Sequence, residues 1–142
     1  MTLKVTENAS LRRLNTFGVE QRAARLVEVA DPGELQAAAS MIAGTAPRLV
    51  LGGGSNVLFT RDFEGTVLLV RTRGIRLLDR AHGEAVIEAE AGETWDEFVR
   101  WTLARGLGGL ENLSLIPGSV GASPIQNIGA YGVEMREHFA GL

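Results

Sequence analysis

Apolar and polar positions mark a strand at residues 25–30 (RLVEVA), followed at once by a helix signal. Asp31 is a good N-cap, Pro32 suits the first helical position, and Glu34 can reach back as the acid of a capping box. Leu35, Ala38, Ala39 and Ile42 then fall on one helical face, and Gly44 and Pro47 stop the pattern. Residues 48–51 (RLVL) give a buried strand. Strand, helix and strand in that order predict a parallel pair, because the intervening helix carries the chain back to the end of the sheet where it started.

The pattern shortens from residue 57 onward. VLFT, TVLLVRT, GIRLLDR and AVIEAEA are short β-rich runs separated by Gly, Asp and Arg-His breaks, which predicts antiparallel strands. A second helix is expected where Thr94 and Glu97 have capping-box spacing. Trp95, Phe98, Val99 and Thr102 share its inner face, and Gly106 ends it. The two aromatics are expected in the core, with ligand stacking the alternative. The change of texture near residues 65–74 divides the chain into an α/β lobe over 1–70 and a second α+β lobe over 71–142. No repeat or low-complexity linker interrupts either lobe.

The 142 residues, 45% hydrophobic and 22% charged, have the make-up of a globular domain and exclude a disordered tail, a collagen-like rod and a coiled coil. No apolar run approaches the roughly 20 residues of a membrane span, and the N-terminal stretch has no apolar core of a secretory signal. With no cysteine, disulfides, zinc–thiolate sites, iron–sulfur clusters and cysteine nucleophiles are ruled out. A cytoplasmic protein fits this composition best. The net charge of −3 gives no basic footprint for nucleic acid. Arg71, Arg73, Arg76 and Arg80 form a local basic group that is expected to be solvated strand edge rather than an anion grip. His82 and His138 lack metal-ligand spacing, so no metal site is expected, and both are read as surface residues. No Gly-x-Ser-x-Gly elbow is present, which argues against a hydrolase triad.

Glycine is the outlier, at 18 residues, and it concentrates in two places. Gly52, Gly53 and Gly54, followed by Ser55, Asn56 and Val57, lie between two strand-like runs. Consecutive glycines allow positive φ and close ligand approach, and successive N–H groups can converge on a phosphate or pyrophosphate. The run is neither a dinucleotide fingerprint nor a P-loop, since a third glycine, a following helix and a Lys-Ser/Thr ending are all missing. Taken alone, such a loop is more often a tight turn than a ligand site. On the ligand reading, Gly54→Val harms binding more than folding. The second place is residues 106–132, too rich in Gly, Pro, Ser and Asn for a regular element, and long irregular loops of this kind are usually functional. Ile116 to Ala122 can form another backbone nest, and Gln126 and Asn127 carry amides suited to a heterocycle edge. Two separate glycine loops suggest a long ligand such as a dinucleotide.

Three segments together resemble one family: Asn15-Thr16-Phe17-Gly18, the loop from Leu51 to Phe59 (LGGGSNVLF), and the run from Leu110 to Gly132 (LENLSLIPGSVGASPIQNIGAYG). Their order and spacing are similar to those of the UDP-N-acetylenolpyruvoylglucosamine reductases, flavoenzymes of peptidoglycan synthesis. The resemblance implies an α+β, two-lobed FAD-binding domain of the vanillyl-alcohol-oxidase (PCMH) type, with the substrate domain missing and the second lobe incomplete at its C-terminus. It implies that Gly52, Gly53, Gly54, Ser55, Asn56 and Val57 wrap the pyrophosphate. Ile116, Pro117, Gly118, Ser119, Gly121 and Ala122 would complete that grip. Ile125, Gln126, Asn127, Ile128, Gly129 and Tyr131 would run along the flavin. Asn15 and Thr16 match the family mainly as buttresses. FAD is expected to be noncovalent, with NADPH as reductant and a nucleotide sugar as substrate.

By the same resemblance, the catalytic Arg, the proton-donating Ser and a Glu lie beyond Leu142, so no catalytic residue is expected within the chain. Ser55, Ser119 and Ser123 are expected to hydrogen-bond rather than donate the proton. The chain is therefore read as the N-terminal, FAD-binding part of the reductase, without full activity alone. Two alternatives stand beside this reading: another flavin oxidoreductase of the same fold, and a nucleotide-binding module without turnover.

Overall fold

β1 (Lys4–Ser10) carries no apolar periodicity, yet it forms the edge of a four-stranded sheet. It pairs antiparallel with β2 (Arg22–Val29). The chain then runs through α1 (Leu35–Ala43) and β3 (Arg48–Leu51) before β4 (Phe63–Val70) inserts between β2 and β3, giving the order β1-β2-β4-β3. The structure is a computed structural model and describes residues 3–142; residues 1 and 2, which open the expected first lobe, lie outside the described residues. These described residues form two compact units, the first ending at Thr72 and the second running from Arg73 to Leu142.

In the first unit β2 and β3 do run parallel, as expected, but they are not neighbours, because β4 pairs with both in parallel register (Val27↔Leu68 and Val50↔Leu68). TVLLVRT is thus a central parallel strand and not antiparallel. Its unbroken apolar run has a physical cause: the strand is buried on both faces. Val67 and Leu69 face a core with Leu11, Leu26, Leu51 and Phe59, while Leu68 joins Val27, Val29, Ala38 and Ile42 on the α1 side. VLFT is no strand; residues 52–62 form an irregular crossover in which Phe59 is buried and Leu58 exposed.

The start of α1 also differs from expectation. Asp31 caps a 3-10 turn, accepting from the Gly33 N–H at 2.8 Å, and no capping box through Glu34 forms. Only half of the predicted stripe is buried: Ala38 and Ile42 pack on the sheet, whereas Leu35 and Ala39 face solvent.

The second unit opens with the expected antiparallel hairpin, β5 (Ile75–Ala81) and β6 (Glu84–Ala89). His82 and Gly83 turn it with φ of +54° and +86°, the left-handed pair that matches strand twist. α2 (Trp95–Leu103) buries Trp95, Phe98, Val99 and Thr102, all four as predicted. It ends where Gly106, at φ +67°, sends its N–H to Leu103 O and the Leu107 N–H to Thr102 O, a Schellman stop. Trp95 and Phe98, with ring centroids 5.5 Å apart, centre a core with Leu113 and Met135. The aromatics are core, not a stacking platform. Past α2 the chain forms a short helix α3 (Ser123–Gln126) and a two-residue hairpin, β7 (Gly129–Ala130) and β8 (Val133–Glu134).

Three of the four grouped arginines are paired with acids. Arg71 pairs with Glu28 at 3.3 Å in the first unit, while in the second Arg73 pairs with Glu93 at 3.0 Å and Arg76 with Glu88. Among the described residues no helix is long and apolar enough to cross a membrane, and no cluster of side chains suits a metal ion.

Candidate functional site

The first glycine loop leaves the carboxyl end of β3, the end of a parallel sheet where open α/β folds bind ligands. Gly52 and Ser55 are half-buried, Gly53 and Asn56 exposed, and Val57 packs partly into the core of the first unit. The backbone N–H groups of Gly52, Gly53, Gly54 and Ser55 donate to no acceptor among the described residues. A buried or half-buried loop with unengaged N–H groups is suited to an anion.

Gly54 has a different reason to be glycine. It is buried at φ +68°, and a Cβ there would stand 2.0 Å from the Leu14 carbonyl oxygen and 2.8 Å from its carbon. Its own carbonyl accepts the Thr16 N–H at 3.2 Å. Packing alone thus demands glycine at 54: its missing side chain lets two backbone segments touch. Asn15, 7% exposed, explains how the second segment is held. Its Nδ2 donates to Leu11 O (2.8 Å) and Val19 O (3.1 Å), and its Oδ1 accepts the Val19 N–H at 3.1 Å. The Asn-Thr-Phe-Gly motif therefore supports the glycine loop from beneath.

The second loop is fastened to the segment entering α2. Gly121 N–H donates to Ala91 O (2.9 Å), Val120 N–H to Glu93 O (2.9 Å), and Trp95 N–H to Gly118 O (3.1 Å). The Trp95 indole adds a bond to Leu113 O at 2.7 Å. Thr94 stands opposite Ser119 in this strap, and its side chain makes no cap bond to α2. Residues 116–122 are thus a narrower nest than the sequence suggests. Val120, Gly121 and Ala122 N–H groups are engaged within the unit, while those of Gly118 and Ser119 find no acceptor among the described residues. Glycine at 121 is required by packing, since a Cβ would come 2.6 Å from the Ala91 Cβ.

Pro117, Gly118, Ser119, Ala122, Gln126 and Ile128 line one small pocket with Trp95 and Ser123. Ile116 and Ile128 also pack against the core of the unit. Ile125 and Tyr131 stand outside it, 86% and 89% exposed. The Asn127 amide is engaged within the unit: its Nδ2 donates to Glu134 Oε2 (2.9 Å) and its Oδ1 accepts the Arg136 N–H (3.0 Å). Gly129 sits in β7, where a Cβ would crowd Glu134 and Val133 O at 3.1 Å. Ser123 donates its Oγ proton to Val120 O at 2.7 Å, a hydrogen-bonding role as expected.

Sequence reasoning passed over Asp96. Its Oδ1 accepts the Leu115 N–H at 2.7 Å and its Oδ2 the Arg100 Nε–H at 2.7 Å. The Leu115 bond, with Arg100 behind it, holds the Asp96 carboxyl below its usual range. Nothing in the spacing of Asp96 announces this, because its partner lies in a loop.

Over its whole length the chain is 54% identical to a UDP-N-acetylenolpyruvoylglucosamine reductase of Pseudomonas fluorescens, of which it covers 42%. Over 94% of its length it is 57% identical to the reductase of the same name from Burkholderia mallei, covering 39% of that protein. The chain thus spans about two fifths of the length of these curated relatives. Among solved structures, the UDP-N-acetylenolpyruvylglucosamine reductase of Thermus caldophilus superposes with a TM-score of 0.66 at 26% identity, over 95% of this chain and 46% of that one. The α+β architecture read from the sequence is therefore shared with that structure. The sequence model described as the FAD binding domain matches residues 23–142, and on that match the chain belongs to the FAD binding domain family.

Proposed function

We propose that this chain is the FAD-holding portion of an NADPH-dependent reductase that converts UDP-N-acetylglucosamine enolpyruvate to UDP-N-acetylmuramate in the cytoplasm. The observation that carries the proposal is the row of unengaged N–H groups from Gly52 to Ser55 at the carboxyl end of β3, in a family that binds FAD. These donors suit a pyrophosphate, which they would hold without a counter-charge from lysine. On the second unit, taken by itself, Gly118 and Ser119 also carry N–H groups with no acceptor among the described residues. Asn56 and Val57 border the first loop. Ile125 and Tyr131, exposed on the second unit, offer apolar and aromatic surface to the ring system. FAD is held noncovalently, and when bound it supplies the two-electron chemistry between NADPH and the enolpyruvyl double bond.

This chain's residues bind and orient; they do not protonate. Reduction of the enolpyruvyl group leaves anionic character that a general acid must quench, a contribution of about 10²–10⁴-fold. Ser123 has its proton on Val120 O, and Ser119 is buried. Neither hydroxyl is placed to deliver that proton. The experiment is to titrate FAD into the chain and follow flavin fluorescence and visible absorbance, then to repeat with a longer form and assay NADPH oxidation with the enolpyruvyl nucleotide sugar. Binding by the chain, with turnover only in the longer form, is expected. A longer form that takes up no flavin refutes the reading.

A further inference from the structure

We propose that Asp96 is a positioning residue for the second cofactor loop, acting through the left-handed backbone of Leu115; this rests on the reading that the loop meets FAD. Leu115 has φ +62° and is 75% exposed, so neither burial nor glycine's freedom keeps it there. A leucine in this region is strained and relaxes unless something holds it. Its N–H donates to Asp96 Oδ1, and Arg100 fixes the carboxylate by taking Oδ2.

Leu115 sits midway between two anchors on Trp95. Leu113 O accepts the Trp95 indole N–H, and Gly118 O accepts the Trp95 backbone N–H. Between them, Asp96 is the group that ties the loop to α2. If its bond is lost, Leu115 returns to negative φ and the peptides leading to Gly118 turn with it. Gly118 and Ser119 then present their N–H groups in another direction, and the fraction of chains with a binding-competent loop falls.

The test uses the full chain and three variants. Asp96→Ala is expected to weaken FAD binding roughly tenfold, the scale of a lost bond to a charged acceptor. Asp96→Asn keeps an Oδ1 acceptor and retains most of the affinity. Leu115→Gly placed on Asp96→Ala restores binding, because glycine adopts φ +62° without strain. Amide exchange at Leu115 and Gly118, read without FAD, speeds up in Asp96→Ala while the tryptophan-detected unfolding midpoint moves little. Unchanged affinity in Asp96→Ala overturns the proposal. So does a loss that Leu115→Gly fails to rescue and that tracks the unfolding midpoint. Failure of the unaltered chain to bind FAD refutes the cofactor reading instead, and the exchange measurement then decides whether Asp96 sets this loop.

Discussion

Replacing Gly54 by alanine tests whether this glycine serves the fold or the ligand. Two costs add. Alanine at φ +68° carries the left-handed penalty of about 1–2 kcal/mol. Its Cβ would also stand 2.0 Å from Leu14 O, and the contact is with backbone held by Asn15, so it cannot swing aside. Overpacking of this kind costs roughly 1–3 kcal/mol more. The sum of about 2–5 kcal/mol is a large part of a small domain's stability. Gly18 is the internal control: its φ is +64°, yet a Cβ there meets nothing within 4 Å. Gly18→Ala therefore carries the backbone penalty alone, and the difference between the variants isolates the steric cost. Trp95, Trp101 and Tyr131 all lie in the second unit, so their fluorescence reports on that unit rather than on the one that holds Gly54. Urea unfolding followed by far-UV circular dichroism, with amide exchange across β1 to β4, is the suitable assay, run without cofactor. With m-values of about 1–3 kcal/mol/M, the midpoint for Gly54→Ala should fall about 1 M or more. Equal losses in Gly54→Ala and Gly18→Ala would refute the packing argument and return Gly54 to the ligand.

Two further predictions concern the second unit. Gly121→Ala should destabilise it by about 1–3 kcal/mol, read by tryptophan fluorescence, because the new methyl meets Ala91 Cβ at 2.6 Å; adding Ala91→Gly should recover part of the loss, and strict additivity of the two changes would contradict the contact. Glu111 titrates below its usual range because its own N–H and that of Gly109, at 2.6 Å, bond its carboxylate. A depressed carboxyl stabilises the fold above its unfolded pKa of about 4 and loses that contribution as pH falls through the folded value. Glu111→Gln should thus be less stable than the parent at neutral pH, with the gap closing in acid; a pH-independent gap would show that the charge is irrelevant.

The elements legible in the sequence are those whose signal is local. α2 announced itself because four residues at helical spacing are all buried, and the β5–β6 hairpin because two short β-rich runs follow each other across a brief break. β1 was illegible because only Ala9 of its seven residues is buried, so its pattern follows no core. The insertion of β4 between β2 and β3 was hidden for another reason: periodicity tells which side of a strand is buried, not which strand lies beside it. Both glycine clusters were visible, but not the purpose of each glycine. Gly54 answers to Leu14 and Gly121 to Ala91, partners that only folding brings near. Backbone donors were likewise overcounted in the second loop, since Val120 and Gly121 bond to the strap before α2.

The place of β4 in the sheet has a consequence for how the protein is made. Synthesis delivers β1, β2, α1 and β3 first, but in the finished sheet β2 and β3 stand apart by the width of a strand, two spacings of about 4.8 Å. A nascent chain ending before Phe63 presents two raw strand edges and a helix over half a floor. Such edges are open to any passing extended segment. The first unit therefore closes late, when residues 63–70 clear the ribosome and fill the gap. A translational pause just before that point is when the growing chain is most exposed to mispairing.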